Sequence, residues 1–187
     1  MHATVLIVPG LRDHMPDHWQ TLLAGELPGS RTVPPLERDK LSRASRVEAL
    51  DREIRAIEGP LILAAHSAGV LTVVHWAQTH SRPIRGALLA TPADIETPLP
   101  AGYPTPEDLR LGGWLPIPRT RLAFPSIVAS SDNDPLASAE RTTDLARAWN
   151  SLLVPLGPVG HLNPTSGYGP WPRALELLRQ LDDVLVS

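Results

Sequence analysis

Short apolar runs rich in β-branched residues alternate with longer amphipathic runs along almost the whole chain. Such short runs are typical of strands buried on both faces, which belong to parallel sheets with helices between the strands. The predicted strands are Thr4–Val8, Pro60–Ala65, Ile84–Ala90, Ser126–Ala129 and Leu152–Leu156, and the predicted helices cover 16–26, Ser45–Ile57, 68–79, 137–149 and 171–185. This order predicts an α/β fold with a doubly wound, mainly parallel sheet, whose functional loops lie at the carboxyl ends of the strands.

The helix predicted over Ser45–Ile57 has the clearest pattern. Ser45 and Glu48 have the spacing of a capping box, and Gly59 and Pro60 follow the last periodic residue. One face of this helix is apolar and is predicted to pack against the sheet; it carries Val47, Leu50, Ile54 and Ile57.

Composition limits the classes of function. A chain of 187 residues is most simply one domain, here 1–187, and its formal net charge of −3 without a long basic run argues against nucleic acid and anionic membranes as partners. The absence of cysteine excludes disulfides, thiolate metal sites and cysteine nucleophiles. The N-terminus lacks the pattern of a signal peptide and no run is long enough to span a bilayer, so we expect a cytoplasmic protein that acts on small molecules. The sequence does not determine the oligomeric state.

The segment 92–118 departs from the regular alternation because it contains seven prolines, at 92, 98, 100, 104, 106, 116 and 118. Irregular segments of this length are often lids or binding loops, in which case Tyr103 and Trp114 supply apolar walls over a pocket. The alternative is a surface loop stiffened by proline, in which Trp114 only anchors the segment to the body of the protein.

Ser67 lies where an apolar strand gives way to a helical pattern, within Ala65-His66-Ser67-Ala68-Gly69. In a nucleophile elbow, the residues two positions before and after the serine must be small, because they face adjoining elements. Ala65 and Gly69 meet that requirement. The helix after Ser67 carries no charged residue before His80, which favours an elbow at the sheet centre over a serine that only caps a surface helix.

A serine nucleophile needs a base and an acid, which follow it in the order Ser, Asp or Glu, His in α/β-hydrolases. His161 lies between the last predicted strand and the last helix, and it follows the candidate acids. Asp132 and Asp134 both follow the strand at 126–129. We favour Asp134 as the acid because Pro135 begins the next turn, whereas Asp132 is explained as a turn residue.

An oxyanion hole normally combines the N–H of the residue after the serine with one from a loop after an early strand. Ala68 supplies the first N–H group. Gly10 lets the backbone after the first strand approach the substrate, so Leu11 or Arg12 supplies the second. The side chain of Arg12 is either a contact for a substrate carboxylate or an exposed loop arginine.

Five segments, in this order and at these separations, resemble the small serine hydrolases of the YdeN and retinoblastoma-binding-protein-9 family: Val5-Leu6-Ile7-Val8-Pro9-Gly10, His18-Trp19, His66-Ser67-Ala68-Gly69, Ser131-Asp132-Asn133-Asp134-Pro135 and Gly160-His161-Leu162-Asn163. The resemblance covers nearly the whole chain. It implies a reduced α/β-hydrolase fold, a three-layer α/β/α sandwich, with Ser67, Asp134 and His161 as the triad and the loop after Gly10 at the active site.

The sequence departs from the family pattern at two places. Ala65 stands where glycine is more usual, and Ala137-Ser138 where the family often has a proline after the acid. Neither change removes a chemical group. The retinoblastoma-binding role of one relative relies on a Leu-x-Cys-x-Glu segment, which a chain without cysteine does not contain.

His14 and His18 are four residues apart and flanked by carboxylates, which is a metal-ligand spacing if both lie on one helix. Pro16 belongs at a helix start and leaves His14 outside it, so we predict no metal site and no cofactor. The sequence thus favours a serine hydrolase that acts on an ester. An amidase or peptidase, or a binding protein that keeps the hydrolase scaffold, is the alternative.

Overall fold

Six parallel strands form one sheet in the structure, a computed structural model that describes residues 1–183. The strands, in the spatial order β2-β1-β3-β4-β5-β6, are β1 (Thr4–Val8), β2 (Arg31–Thr32), β3 (Leu61–His66), β4 (Gly86–Ala90), β5 (Ser126–Ser130) and β6 (Leu152–Pro155). The helices are α1 (Trp19–Glu26), α2 (Arg43–Ala56), α3 (Ala68–Thr79), α4 (Pro106–Leu111), α5 (Ala139–Trp149) and α6 (Arg173–Asp183). The five strand pairings of the described residues are all parallel.

Helices cover both faces of this sheet. In β3, Leu63 and Ala65 belong to a core shared with α2, α3 and α5, whereas Ile62 and Ala64 belong to a second core shared with α1 and α6. This alternation follows from the two-residue period of a strand. It produces the three-layer α/β/α sandwich with a parallel central sheet that the sequence predicted.

Helix α3 runs against the centre of the sheet. Each residue from Ala68 to Trp76 is buried, as expected for a helix without charged side chains. The predicted apolar face of α2 is also confirmed, because Val47, Leu50, Ile54 and Ile57 are all buried. Ser67 therefore lies between two deeply buried elements, β3 and α3.

The edges of the sheet differ from the prediction. The two-residue edge strand β2 was not predicted, because two residues are too few to show a period. The run Leu152–Leu156 was expected to be buried on both faces, and this was wrong: β6 is an edge strand, and Leu152 is 52% exposed.

Helix α2 begins earlier than predicted. The Ser42 hydroxyl oxygen accepts a hydrogen bond from the Ser45 N–H (3.2 Å), so Ser42 is the N-cap and the predicted Ser45–Glu48 capping box is wrong. Glu48 points to solvent and pairs with Arg52 one turn later. The Ser-x-x-Glu spacing therefore does not mark the start of the helix, because Ser45 and Glu48 both lie within α2.

Helix α3 has the predicted bounds, whereas α1, α5 and α6 begin later than predicted. Pro16 lies in a turn before α1, and the His18 ring caps that helix by accepting from the Gln20 N–H (3.2 Å). Helices α5 and α6 begin two residues after their predicted starts. Residues 184 and 185 of the last predicted helix lie outside the described part of the chain.

The segment 92–118 is largely irregular, but it contains the unpredicted helix α4. Pro106, one of the prolines that predicted an irregular segment, occupies the first turn of α4, where a missing N–H costs nothing. Glu96 joins the two ends of the segment, because its carboxylate accepts from the Ile117 N–H (2.9 Å) and from Arg119 (3.0 Å). Both ends are thus fixed to each other.

No helix within residues 1–183 is long and apolar enough to cross a membrane. The cytoplasmic location stays a prediction.

Candidate active site

Ser67 occupies a strained turn between β3 and α3. Its φ of 56° and ψ of −123° lie outside the regions that residues with a side chain favour, as in a nucleophile elbow. Gly69 makes the turn fit: a Cβ on Gly69 would lie 2.2 Å from the carbonyl oxygen of Val8 and 2.7 Å from that of Pro9. Ala65, the other small residue, is fully buried between β1 and β4.

Three side chains form a continuous hydrogen-bonded chain at this point. The Oγ of Ser67 lies 2.8 Å from Nε2 of His161, and Nδ1 of His161 lies 2.9 and 3.0 Å from the two carboxylate oxygens of Asp134. Because a carboxylate only accepts, the proton of neutral His161 is on Nδ1, and Nε2 accepts the serine hydroxyl. The His161 and Asp134 side chains are only 5% and 3% exposed, so water competes little for these bonds.

Asp134, and not Asp132, contacts His161. The carboxylate of Asp134 also accepts from the Leu136 N–H (2.8 Å), which fixes it in the turn that Pro135 begins. Asp132 is exposed, and its N–H donates to the carbonyl of Gly157.

Three side chains hold the backbone of Gly160 and His161. The His161 N–H donates to the Ser166 hydroxyl (3.0 Å), and the His161 carbonyl accepts from Nε2 of His66 (2.9 Å). The preceding N–H, of Gly160, donates to the side-chain oxygen of Asn133 (2.6 Å), so the acid loop and the histidine loop are joined directly. The sequence predicted only a role in turn packing for His66 and gave no role to Asn133 or Ser166.

The backbone N–H groups predicted for an oxyanion hole, those of Ala68 and of the two alternatives Leu11 and Arg12, donate no hydrogen bond within residues 1–183. All three residues line the cleft that opens at Ser67. Gly10 brings the loop close to the serine: a Cβ on Gly10 would lie 3.3 Å from the Cβ of Ser67.

The cleft above Ser67 has a volume of about 800 Å³, including its open mouth. Its apolar lining comes largely from α3, the 92–118 segment and the acid loop and includes Leu71, Ile95, Leu99, Leu109, Trp114 and Leu136. Its polar lining includes Arg12, Asp13, Gln20, Asn163 and Thr165. A ligand in this cleft therefore meets both apolar and polar side chains.

Trp114 anchors the 92–118 segment and also lines the cleft. Its indole N–H donates to the carbonyl of Leu41 (2.6 Å), and its own carbonyl lies 3.0 Å from Nε2 of His75. At the rim, the Arg12 guanidinium lies 5.8 Å from the centre of the Tyr103 ring, so the loop after β1 meets the 92–118 segment there.

The imidazoles of His18, His66 and His161 contact one another in succession near Ser67, with their ring planes inclined at 61° and 52°. The ring centres of His66 and His161 are 4.9 Å apart, and those of His18 and His66 are 4.6 Å apart. Burial, assisted by the nearby His161, lowers the pKa of His18 to about 4; burial also lowers the pKa of His66 well below its ordinary value. Both rings are therefore neutral at pH 7 and place no charge next to His161.

Comparison with known proteins places the chain in a family. The family model for serine hydrolases matches residues 5–180. The chain belongs to the serine hydrolase family. A YdeN-like hydrolase from Pectobacterium atrosepticum is 31% identical, with a TM-score of 0.83 over 100% of this chain and 94% of that one.

Two more distant structures share the fold of this serine hydrolase. The YdeN protein of B. subtilis is 17% identical, with a TM-score of 0.75 over 97% of this chain and 99% of its own. Est1E of Butyrivibrio proteoclasticus, solved with ferulic acid, is 13% identical, with a TM-score of 0.72 over 96% and 89%. A search of curated proteins found no significant match.

His14 lies outside α1, so the serine hydrolase does not present His14 and His18 on one helical face. Among the residues that the structure describes, no three side chains of His, Asp or Glu are grouped to hold a metal ion.

Proposed function

We propose that this serine hydrolase cleaves carboxylic esters, with Ser67 as the nucleophile, His161 as the general base and Asp134 as the orienting acid. The observation that carries the proposal is the continuous chain of hydrogen bonds from the Ser67 hydroxyl through His161 to Asp134. A serine hydroxyl is a weak nucleophile until an adjacent base removes its proton. The 2.8 Å contact with Nε2 supplies that base.

In the acylation step, Ser67 Oγ attacks the ester carbonyl while its proton passes to Nε2 of His161. The carbonyl π electrons move to the oxygen and form a tetrahedral oxyanion, which the N–H groups of Leu11 and Ala68 stabilise. Asp134 stabilises the imidazolium and keeps the correct tautomer. The oxyanion then collapses, His161 returns the proton to the leaving alkoxide, and the acyl group stays on Ser67.

Water completes the cycle. His161 removes a proton from the attacking water, the hydroxide oxygen bonds to the acyl carbon, and the second tetrahedral oxyanion forms at the same N–H groups. Its collapse breaks the bond to Ser67 Oγ, which regains its proton from His161. The product is a carboxylic acid.

The cleft supports a small-molecule substrate with an apolar acyl group. An acyl chain that packs against Trp114 and Leu99 loses contact with water. This burial stabilises the bound state by about 25 cal/mol per Å² of apolar surface. The neutral His18 and His66 add no charge near the serine. On this proposal the 92–118 segment is a binding loop whose side chains set the acyl preference.

Arg12 gives the rim of the cleft a positive charge. Its neighbour Asp13 also lines the cleft, but that carboxylate contacts Arg46 (3.3 Å) and Lys40 (3.7 Å). We expect the Arg12 guanidinium to contact a carboxylate or another hydrogen-bond acceptor at the far end of the substrate. Stacking on Tyr103 orients the guanidinium and leaves its N–H groups available.

A fluorophosphonate probe tests the nucleophile, because it reacts with serines activated by a base. We expect one adduct on Ser67 by mass spectrometry, and no adduct in Ser67→Ala. The wild-type chain is expected to hydrolyse 4-nitrophenyl esters, and Ser67→Ala to lose this activity while keeping its circular dichroism spectrum. Folded wild-type protein with neither an adduct nor turnover would contradict the proposal and favour the binding-protein alternative.

Matched esters and anilides distinguish an esterase from an amidase. We expect kcat/KM for 4-nitrophenyl hexanoate to exceed that for hexanoyl 4-nitroanilide by at least about 100-fold, because no residue is proposed to bind an amide leaving group. Equal values for the two substrates would move the assignment to an amidase.

A further inference from the structure

The loop between β1 and α1 contributes backbone to the cleft but is not part of a helix or a strand. Within it, the Asp13 N–H donates to the Gly10 carbonyl (3.1 Å), and Asp13 adopts a positive φ of 54°. Turns that rest on one backbone bond deform readily unless other groups hold them. The position of the Leu11 N–H therefore depends on what anchors this loop.

Arg46, on helix α2, is that anchor. Its guanidinium lies within hydrogen-bond distance of the carbonyls of Gly10 (3.3 Å) and Leu11 (3.4 Å) and of the Asp13 carboxylate (3.3 Å). Its Nε–H donates to the carbonyl of Lys40 (2.7 Å). A planar guanidinium with five N–H groups can make these contacts together, whereas a lysine ammonium cannot match their geometry.

The Arg46 side chain lies behind the loop, away from the substrate. It lines a second, smaller cavity with Val33, Pro34 and Ala49, whereas Leu11 lines the main cleft. The Arg46 side chain is only 8% exposed. Burial lowers its pKa, and the neighbouring Asp13 counteracts this effect. A charge held in such a place needs hydrogen-bond partners, so its contacts with the loop carbonyls are costly to lose.

We infer that Arg46 is a positioning residue that turns the Leu11 N–H toward the oxyanion. A peptide group is planar and trans, so the Gly10 carbonyl and the Leu11 N–H point in opposite directions. Arg46 binds the carbonyl from behind the loop, which directs the N–H to the cleft side. The inference rests on the proposed function, in which the Leu11 N–H stabilises the tetrahedral oxyanion.

This role predicts a defect in the chemical step and not in substrate binding. An oxyanion donor acts mainly in the transition state, so misplacing one lowers kcat while KM changes little. A residue that only stabilises the fold would lower the amount of active protein but leave the pH profile and the inhibitor affinities of the remainder unchanged.

The test compares Arg46→Met, Arg46→Lys and the double variant Arg46→Met/Asp13→Asn with the wild type. The double variant removes both charges and so avoids leaving a carboxylate without its partner if Arg46→Met does not fold. We expect kcat to fall about 100-fold in both methionine variants, with KM within about 3-fold. We expect kcat of Arg46→Lys to be nearly as low as that of Arg46→Met. Arg52→Met, on the exposed face of α2, should leave kcat unchanged.

Two inhibitors separate positioning from stability. A trifluoromethyl ketone forms a tetrahedral oxyanion on Ser67, so its affinity should fall in parallel with kcat/KM, while the affinity of the product carboxylate should stay within about 3-fold. A folded double variant with wild-type kcat and wild-type affinity for the ketone would overturn the inference. So would equal losses of affinity for both inhibitors.

A crystal structure of the double variant separates this inference from the proposed function. We expect the Gly10–Leu11 peptide to rotate or to be poorly ordered when Arg46 is absent. An unchanged peptide plane would overturn the role of Arg46 whether or not the protein is an esterase. An inactive wild-type chain without a Ser67 adduct would instead overturn the proposed function, and the inference with it, whatever the orientation of the peptide.

Discussion

Nε2 of His66 lies 2.9 Å from the carbonyl oxygen of His161, a residue 95 positions further along the chain. His66 is fixed at the end of β3, next to Ser67, so this bond connects the loop that carries the base to the strand that carries the nucleophile. Because the acceptor is a carbonyl, the His66 Nε2 carries the proton, in agreement with the neutral state that burial imposes.

We predict that loss of this donor misplaces His161. His66→Leu should lower kcat about 10- to 100-fold, because small displacements of a catalytic group are costly. His66→Gln keeps an N–H donor at a similar reach and should stay within about 5-fold of the wild type. Kinetics with a 4-nitrophenyl ester measure both. Equal losses in the two variants would show that the hydrogen bond is not what matters at this position.

Local patterns in the sequence were enough to predict the central strands of the sheet and the order of Ser67, Asp134 and His161. Each of the four central strands is a run of buried apolar residues, and parallel strands bring their carboxyl ends to one edge. Contacts such as that from His66 to His161 leave no local pattern. A histidine before the serine looks the same whether it packs in a turn or binds a distant carbonyl.

The wrong boundaries have similar physical causes. Ser45–Glu48 has the spacing of a capping box, but Ser42 lies one turn earlier and receives the hydrogen bond. Pro16 suits a first helical turn, yet α1 begins after His18 caps it. Where several residues are able to cap one helix, tertiary packing decides which of them does.

Stability should fall on mild acidification because of the buried imidazoles. The pKa of His18 is about 4 in the folded state against about 6.5 unfolded, so between pH 6.5 and 4.5 the unfolded chain binds a proton that the folded chain does not. The free energy of unfolding therefore falls as pH falls through this window, and His66, shifted in the same direction, adds to the effect. Each imidazole contributes a slope of up to about 1.4 kcal/mol per pH unit.

His18→Asn tests this prediction, because an asparagine oxygen is able to replace the ring nitrogen as the cap of α1 without titrating. Urea unfolding between pH 6.5 and 4.5 should give a shallower slope for this variant than for the wild type. His14→Asn, an exposed change in the same loop, is the matched control. If His18→Asn left the slope unchanged, His18 would not be a source of the pH dependence of stability.

The close approach of α3 to β1 predicts that Gly69 tolerates no side chain. In Gly69→Ala the new methyl group would lie 2.2 Å from the Val8 carbonyl oxygen, so the backbone must move. We expect a loss of about 3 kcal/mol in the free energy of unfolding, and a lower kcat because Ser67 moves with the turn.

Gly25→Ala in α1, where no atom lies within 4 Å of the new Cβ, should instead be neutral or stabilising by about 0.5 kcal/mol. Chemical denaturation distinguishes these outcomes, and similar stabilities for both variants would refute the close contact.

The charge at the cleft rim predicts a preference among substrates. Arg12 lines the cleft beside Tyr103, whereas Arg38 is an exposed arginine that does not line it. With 4-nitrophenyl monoadipate, which ends in a carboxylate, Arg12→Ala should lower kcat/KM about 5-fold, the value of one solvent-exposed ion pair of about 1 kcal/mol. With the matched hexanoate ester, which ends in a methyl group, the change should stay below about 2-fold.

Arg38→Ala removes the same charge elsewhere and should affect neither substrate. Added salt should reduce the effect of Arg12→Ala on the adipate ester, because salt screens an exposed ion pair. Equal effects of Arg12→Ala on both esters would mean that the arginine packs against Tyr103 without binding substrate.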